Sequence, residues 1–182
     1  MVFKKIGLLI LLLGSFTVNS NQWLYESFDG TKVVVKENAN GYIVKYLGSD
    51  SSSKSLGKAD NNNVKLFSNI LNVNFDEKKL INNKIEWKGI FNEEYRVSKI
   101  GNTEIKNIKY EHLFKLNVQW ANKGEYIVYY DLTYGIVAFQ KVIPSMNGSF
   151  FILKNLYGFP KLLYKNDIKK IGIPKLSEVR TN

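Results

Sequence analysis

The residue types that most often carry catalysis or bind metals are scarce in this sequence. It contains a single histidine, His112, and no cysteine among 182 residues. Without a thiol, cysteine nucleophiles, iron–sulfur clusters and cysteine-ligated zinc are excluded. A histidine triad also needs a nucleophile and an orienting acid, and the adjacent Glu111 would point to the opposite face of a strand. We therefore predict no catalytic residue built on His112, no metal site and no cofactor.

Acidic residues are the remaining source of acid–base chemistry. They occur in pairs at Asp76-Glu77 and Glu93-Glu94, both in predicted turns. Glycoside hydrolysis needs two carboxyl groups that face each other about 5–10 Å apart, and neighbours in a strand do not face each other. A carboxylate-dependent hydrolase that uses Glu93 or Asp131 stays open as an alternative, and it requires two carboxyl groups to converge in one cleft.

The stretch Ser51–Lys54 matches the S-x-x-K pattern of serine β-lactamases and penicillin-binding proteins. In those enzymes the lysine lies one helical turn after the serine and helps to activate it. Here the match falls in a predicted polar loop, Gly48–Asn63, and the accompanying S-D-N and K-T-G elements are absent from the sequence. We interpret it as a chance feature of a serine-rich stretch.

Aromatic side chains are the most suggestive group. The sequence has 3 tryptophans, 11 tyrosines and 11 phenylalanines. An aromatic side chain that faces outward on a curved sheet can stack on a sugar or line an apolar pocket, whereas one that faces inward simply covers the core. As a hypothetical ligand-binding wall we single out Trp87, Trp120, Tyr126, Tyr130 and Tyr134.

The net charge is strongly positive and is carried by lysine. The formal charge is +10, and 24 of the 26 basic residues are lysines, the exceptions being Arg96 and Arg180. Specific nucleic-acid readers usually rely on arginine, whose planar fork contacts guanine or phosphate at two points. We therefore predict no nucleic-acid partner and expect attraction to an acidic envelope surface.

Residues 1–20 have the organisation of a secretory signal peptide. Lys4 and Lys5 precede the apolar run Ile6–Leu13, and Val18-Asn19-Ser20 places small side chains at the first and last positions of a cleavage site. The alternative is a membrane anchor, but the apolar stretch extends over at most 13 residues, against the ~20 that a bilayer-spanning helix needs. We expect cleavage and export to the periplasm or the extracellular space.

Position 15 bears on whether the exported protein is lipid-anchored. Leu12-Leu13-Gly14-Ser15 resembles the bacterial lipoprotein signal, with a serine where that signal requires the cysteine that receives the lipid. We therefore expect no lipid anchor.

Removal of residues 1–20, which carry two lysines and no acid, leaves a charge of +8. Since no later segment is long and apolar enough, we also predict no transmembrane span.

The elements that must position these side chains are predicted to be strands. Apolar and polar residues alternate with period two in about ten segments that are separated by Gly and Asn turns. We place one of these turns at Gly101-Asn102. Val64–Phe75 fits both helical and alternating spacing, and we interpret it as a strand with an irregular start. Asp76–Asn83 is predicted to be a charged connection.

These strands predict an all-β fold in one domain over residues 21–182. Short connections in the second half indicate a single antiparallel sheet, either strongly curved into a half-barrel or arranged as a β-sandwich. The stretch Pro160–Pro174 differs, because its lysines recur at every fourth position beside an apolar face. We interpret residues 161–175 as a basic amphipathic tail with a short C-terminal helix, which either touches acidic lipid or packs on the sheet.

The segment Tyr129–Phe139, YYDLTYGIVAF, resembles a hairpin of small exported proteins of Gram-negative bacteria. Its pattern is an aromatic strand, a turn and then Y-G-[IV]-[IV]-x-[FY], and Phe150–Leu153 would be the next antiparallel strand. Many such proteins are uncharacterised, and some have curved half-barrel sheets similar to those of the periplasmic lipoprotein carriers. The resemblance implies an envelope protein with no catalytic residues to carry over.

Three functional hypotheses follow from the sequence. The leading one is a non-catalytic exported protein that binds an apolar, lipid or sugar ligand, or an envelope partner, through its aromatic side chains. The hydrolase described above is one alternative. The other is a structural or adhesive envelope protein with exposed edge strands, which would assemble with itself as its concentration rises.

Overall fold

The structure is a computed structural model that describes residues 21–50, 52–56, 63–105, 107–143 and 148–161. It is mostly β, with 64% strand and 4% helix, so the predicted all-β class is confirmed. One short helix, α1 (Glu77–Ile81), is present in the described ranges. The strands are β1 (Gln22–Ser27), β2 (Lys32–Asn38), β3 (Gly41–Tyr46), β4 (Ser52–Leu56), β5 (Asn63–Phe67), β6 (Asn72–Asp76), β7 (Glu86–Lys88), β8 (Glu94–Ile105), β9 (Ile108–Trp120), β10 (Gly124–Asp131), β11 (Gly135–Val142) and β12 (Phe150–Leu153).

Ten of these strands form one open antiparallel sheet in the order β4-β3-β2-β1-β12-β11-β10-β9-β8-β7. The first and the last strand are neighbours at its centre, where Tyr25 lies opposite Leu153. On one side of this pair the chain makes a meander out to β4, and on the other side a longer meander leads out to β7. The edges β4 and β7 do not pair with each other, so the sheet is not closed.

The connection between the two edges fills one face of the sheet. The chain must pass from β4 to β7, and it does so through the β5–β6 hairpin and α1, which we call the insert. Apolar residues of the insert and of the sheet belong to one buried cluster, which includes Leu66, Val73 and Leu80 from the insert and Trp23 and Val128 from the sheet. The core is therefore built between the sheet and its own insert.

The sheet is strongly bent around this insert. β4 and β10 are six strand positions apart in the sheet, which would separate them by about 29 Å if the sheet were flat. Instead, side chains from both strands line the same cleft. The half-barrel alternative is therefore the one observed: a curled ten-stranded sheet with a two-stranded hairpin inside it.

Three segments differ from the sequence prediction. The predicted loop Gly48–Asn63 contains β4, an edge strand that pairs with β3 and needs no apolar alternation. Val64–Phe75 is two strands rather than one, with a turn between β5 and β6. The predicted connection Asp76–Asn83 contains α1, and the Asp76 carboxylate caps this helix by accepting from the Lys78 N–H at 2.9 Å.

The predicted turn at Gly101-Asn102 is also wrong, because β8 runs through it to Ile105. Gly101 has φ +82°, and the pairing register with β9 shifts on both sides of it. A glycine in this conformation accommodates a bulge within a strand without the steric cost that a Cβ would add. The chain reverses instead around Asn107, which has φ +63°.

The chain after β12 returns to the core. Phe159 is fully buried, and its ring packs edge-on against Trp23 and Tyr42 at centroid distances of 5.2 and 4.7 Å. The Tyr25 hydroxyl accepts from the Phe159 N–H and donates to the Ile136 carbonyl, both at 3.0 Å. Apart from its first residue, the predicted tail 161–175 lies outside the described residues, as does the predicted signal peptide 1–20.

A buried polar contact connects this returning segment with the insert. The Lys161 ammonium contacts the Glu77 carboxylate at 2.6 Å, and the Tyr130 hydroxyl donates to the same carboxylate. Trp23 Nε1 donates to the Lys161 carbonyl at 2.8 Å. Within the described ranges, no helix has both the length and the apolar character needed to cross a membrane.

We expect Gly158→Ala to destabilise the protein by at least about 2 kcal/mol, since a Cβ there overpacks the core. Gly158 N donates to the Tyr134 carbonyl at 2.6 Å, and an added Cβ would overlap the Ile136 carbonyl oxygen. Urea unfolding measures the loss. Gly30→Ala is the control, because its Cβ would meet nothing within 4 Å and only the strain of φ +83° applies, about 1 kcal/mol. Equal losses in both variants would contradict this packing.

Candidate functional site

An open cleft of about 710 Å³ lies where the bent sheet comes back toward its β4 edge. Three lysines line it: Lys54 on β4, Lys123 in the β9–β10 turn and Lys141 on β11. Phe67 at the end of β5 and Tyr126 on β10 contribute its aromatic lining. We call this region the lysine cleft.

A short turn of the insert, Ser68–Leu71, forms one wall of the lysine cleft. The Ser68 hydroxyl accepts from the N–H groups of Ile70 and Leu71 at 3.1 and 2.9 Å. The Ser68 hydroxyl also donates to the Leu71 carbonyl at 3.0 Å. Asn69 N donates to the Ser53 hydroxyl of β4 at 3.4 Å, which connects the turn with the sheet edge. These bonds hold the polar groups of the wall in place before any ligand arrives.

Asn72 joins the same wall to the sheet. It is 2% exposed, and its amide donates to the Ser68 carbonyl at 2.6 Å and to the Tyr126 hydroxyl at 2.8 Å. Its backbone carbonyl accepts from Trp120 Nε1 at 3.2 Å. Its amide oxygen accepts from no donor among the described residues. A buried amide oxygen without a donor is costly, and the hydrogen bonds made by the Asn72 amide nitrogen offset part of that cost.

The Tyr126 hydroxyl stays protonated at neutral pH. Burial raises the pKa of Tyr126, and the hydrogen bond from Asn72 offsets part of this effect. The side chain therefore offers the cleft a neutral ring and a neutral hydroxyl, and it contributes no negative charge.

The electrostatic character of the lysine cleft comes from unpaired ammonium groups. Within the described residues, none of its three lysines forms an ion pair with a carboxylate. Lys123 Nζ lies 5.5 Å from the centre of the Phe67 ring and 5.2 Å from that of Trp120, and Lys141 Nζ lies 5.9 Å from that of Tyr126. Cation–π contacts of this kind orient the lysines and leave their donors open to an anion.

The structure does not bring together the five aromatic residues selected from the sequence. Tyr126 lines the lysine cleft, and Trp120 lies behind its lining, against Phe67 at 5.7 Å. Tyr130 is fully buried between the sheet and the insert, where it contacts Phe75 at 5.2 Å. All three are buried, and of the three Tyr126 alone belongs to the described lining of the cleft.

The other two of the five lie far from this group in the sheet. Trp87 is on the edge strand β7 and stacks on Tyr95 at 4.9 Å. Tyr134 belongs to a small cluster on the opposite face of the sheet, between Tyr110 at 5.2 Å and Tyr157 at 5.5 Å. A common wall of all five is therefore not formed.

The candidate hydrolytic carboxylates have structural partners. Glu93 is buried and accepts from Phe91 N at 2.8 Å and from the Asn74 amide at 3.3 Å. Asp131 is buried and accepts from the N–H groups of Thr133, Tyr134 and His112 at 2.8, 3.1 and 3.1 Å. Each carboxylate thus stabilises the turn in which it lies.

These carboxylates do not converge in the lysine cleft, whose described lining contains no Asp, Glu or His. The described residues also hold no group of three or more His, Cys, Asp or Glu side chains that could bind a metal ion. The cleft as described can therefore bind an anion, but it lacks the paired carboxyl groups that glycoside hydrolysis needs.

Several residues of the cleft could not be selected from the sequence. Lys123 and Lys141 belong to a set of 24 lysines with no distinguishing spacing. Ser52, Ser53 and Lys54 were assigned to a chance match in a loop, and the structure places them on β4 instead. The serine of the S-x-x-K match, Ser51, lies outside the described residues.

Comparison with known proteins found no match to a family model, to a curated protein or to a solved structure. The resemblance of Tyr129–Phe139 to an exported hairpin therefore stays a prediction. The segment does form the hairpin of β10 and β11, with Tyr129 opposite Ala138, and β12 follows as the next antiparallel strand.

Proposed function

We propose that this protein is an exported, non-catalytic binding protein whose lysine cleft holds an anionic saccharide. The observation that carries the proposal is the set of three ammonium groups, unpaired within the described residues, around one open cleft with no acid in its described lining. Charge-assisted hydrogen bonds to such groups are the strongest polar contacts available to an anion.

A saccharide fits the remaining lining better than a simple ion does. Serine hydroxyls and asparagine amides, which can both donate and accept hydrogen bonds, line the cleft at Ser52, Ser53, Asn69 and Asn122. Phe67 adds an aromatic ring, a common partner of sugar rings. The volume of about 710 Å³ lies within the ~300–1,000 Å³ range of small-molecule sites.

The filled interior of the sheet argues against an apolar or lipid ligand. A carrier of lipid chains needs an apolar chamber, and the face that could provide one is covered by buried residues of the insert such as Leu66, Leu71 and Phe75. The cleft that remains is lined mainly by polar and charged side chains. Export without a lipid anchor remains part of the proposal, based on residues 1–20 and Ser15.

The test compares one acidic with one neutral saccharide. Isothermal titration of the mature chain, residues 21–182, with oligogalacturonate is expected to show binding, and galacto-oligosaccharide of the same length is expected to bind much more weakly. The variant Lys123→Gln/Lys141→Gln should lower the affinity for oligogalacturonate by at least about tenfold, because each hydrogen bond to a charged group contributes about 1.5–3 kcal/mol.

A matched variant separates the cleft from overall charge. Lys99→Gln/Lys109→Gln removes the same charge from exposed positions on β8 and β9, outside the cleft lining, and should leave the affinity within about twofold, since exposed charges act weakly over distance. An equal loss in both variants, or no binding of oligogalacturonate by the wild type, would reject the acidic-saccharide proposal.

A further inference from the structure

A second surface, at the β7 edge of the sheet, exposes apolar side chains among lysines. In the segment Lys78–Phe91, which we call the β7 rim, four large apolar side chains are more than half exposed: Ile81 (59%), Ile85 (69%), Ile90 (80%) and Phe91 (56%). Such a concentration at one place differs from the isolated exposed apolar residues that any protein surface carries. It requires a physical explanation beyond core packing.

The β7 rim is one continuous border of the structure. The Ile85 carbonyl accepts from Val97 N at 2.7 Å, which extends the pairing of β7 with β8. Lys79 of α1 places its ammonium 5.3 Å from the ring of Trp87, so the helix lies beside the edge strand. The end of α1, β7 and the following turn therefore present their side chains along the same edge.

The charge of the β7 rim is positive. It contains Lys78, Lys79, Lys84 and Lys88 and one acid, Glu86. Arg96 of the neighbouring strand lies 3.5 Å from Glu86, and Lys88 forms an ion pair with Glu94 at 3.1 Å. Lys78, Lys79 and Lys84 form no ion pair with any described acid.

We propose that the β7 rim docks on an anionic lipid bilayer. Apolar side chains that project between lysines can each enter the boundary between headgroups and acyl chains, while the ammonium groups stay at the level of the anionic headgroups. A protein partner would instead need a contiguous surface of complementary shape. The inference does not depend on the ligand proposed for the lysine cleft, although Phe91 of the rim packs against Phe67 of the cleft at 5.4 Å.

The β7 rim is distinct from the basic tail 161–175, which the sequence assigns either to acidic lipid or to packing on the sheet. The one described residue of that tail, Lys161, directs its ammonium to Glu77 at 2.6 Å. In the described part of the chain, the combination of exposed apolar and unpaired basic side chains occurs at the β7 rim.

The test is flotation of the mature chain, residues 21–182, with vesicles. We expect binding to phosphatidylcholine vesicles that contain phosphatidylglycerol and little binding to vesicles of phosphatidylcholine alone. The variant Ile85→Ser/Ile90→Ser should lower the partition coefficient on anionic vesicles by at least about tenfold, since it removes two inserting side chains. Because both residues are more than two-thirds exposed, the variant should keep its circular dichroism spectrum and unfolding midpoint.

Two control variants, one for the apolar and one for the basic residues, test whether the loss of vesicle binding is specific to the rim. Ile100→Ser/Ile143→Ser changes the same residue type at exposed positions outside the rim and should bind as the wild type does. Lys78→Gln/Lys84→Gln should lower partitioning about twenty-five-fold, at about fivefold for each lysine near an anionic surface. Lys36→Gln/Lys45→Gln should change it much less.

Three outcomes would overturn the proposal. One is failure of the wild type to float with anionic vesicles. Another is an equal effect of the rim variants and of their matched controls, which would indicate only attraction by net charge. The third is a concentration-dependent dimer that Ile85→Ser/Ile90→Ser dissociates while vesicle binding persists, which would assign the rim to a second copy of the chain.

Discussion

We expect the protein to unfold cooperatively as the pH rises above about 10, and to be unfolded by about pH 12. Burial is the first cause of a raised pKa at five described tyrosines, and at Tyr130 the neighbouring Glu77 carboxylate raises the pKa further. The five are Tyr25, Tyr95, Tyr110, Tyr126 and Tyr130.

The direction of the pH effect follows from proton binding. Unfolded tyrosines lose their proton near pH 10, while the buried ones keep theirs, so above pH 10 the folded state binds more protons. The stabilisation is complete below about pH 10 and is lost as the pH rises toward the raised values, such as a pKa of about 12 for Tyr110. Each tyrosine lowers the free energy of unfolding by about 1.4 kcal/mol per pH unit, against a total of about 5–15 kcal/mol for a typical domain.

The measurement is urea unfolding at a series of pH values, with tyrosinate absorbance and circular dichroism recorded together. Tyr110→Phe is the informative variant, because it keeps the ring and removes one titrating hydroxyl. Its stability should fall less steeply, by about 1.4 kcal/mol per pH unit between pH 10 and the Tyr110 pKa of about 12. Full tyrosinate absorbance with an unchanged circular dichroism spectrum would show that these hydroxyls are not buried.

We also expect Phe75→Ala to destabilise the protein by about 4 kcal/mol, within the range for buried phenylalanine. Phe75 is 3% exposed on the insert, and its ring contacts Tyr130 at 5.2 Å and Tyr95 at 6.1 Å, both on the large sheet. Because the insert and the sheet share one core, unfolding of the variant should remain a single transition in urea.

Phe28→Ala provides the matched control for this prediction. Phe28 is 87% exposed at the β1–β2 turn, so the same substitution should change stability by no more than about 0.5 kcal/mol. If Phe75→Ala instead produced a separate early transition and left the main one unchanged, the insert would be an independently unfolding flap. The interior of the sheet would then be open to apolar ligands, contrary to the proposed function.

The central strands could be predicted from the sequence because their two faces differ. Tyr126, Val128 and Tyr130 alternate with less buried residues on β10, which is the pattern of a strand with one face in the core. β4 shows no such alternation, since an edge strand of serine and lysine is held by backbone bonds to β3. The insert was predicted in part, because Val64–Phe75 is interpreted as one strand and the structure divides it into β5 and β6. The turn between them contains the apolar residues Ile70 and Leu71, so composition does not mark it as a turn.

The candidate site forms only because the sheet bends, and no local pattern in the sequence specifies that bend. Aromatic density indicated which strands matter, but alternation alone does not show which face of β10 is covered by another part of the chain. Because the insert covers it, Tyr130 became a core residue. Lys54 and Lys141 lie 87 positions apart in the chain, and only the curl of the sheet places them around one cleft.

The pairing of the first strand with the last has a consequence for how the protein is made. β1 leaves the ribosome early. The N–H group that binds the Tyr25 hydroxyl belongs to Phe159, which follows 134 positions later in the chain. At typical rates of synthesis this delay is on the order of 10 s, and contacts so distant along the chain also slow folding itself. Until β12 arrives, the two meanders are separate and the edge of β1 that pairs with β12 stays free.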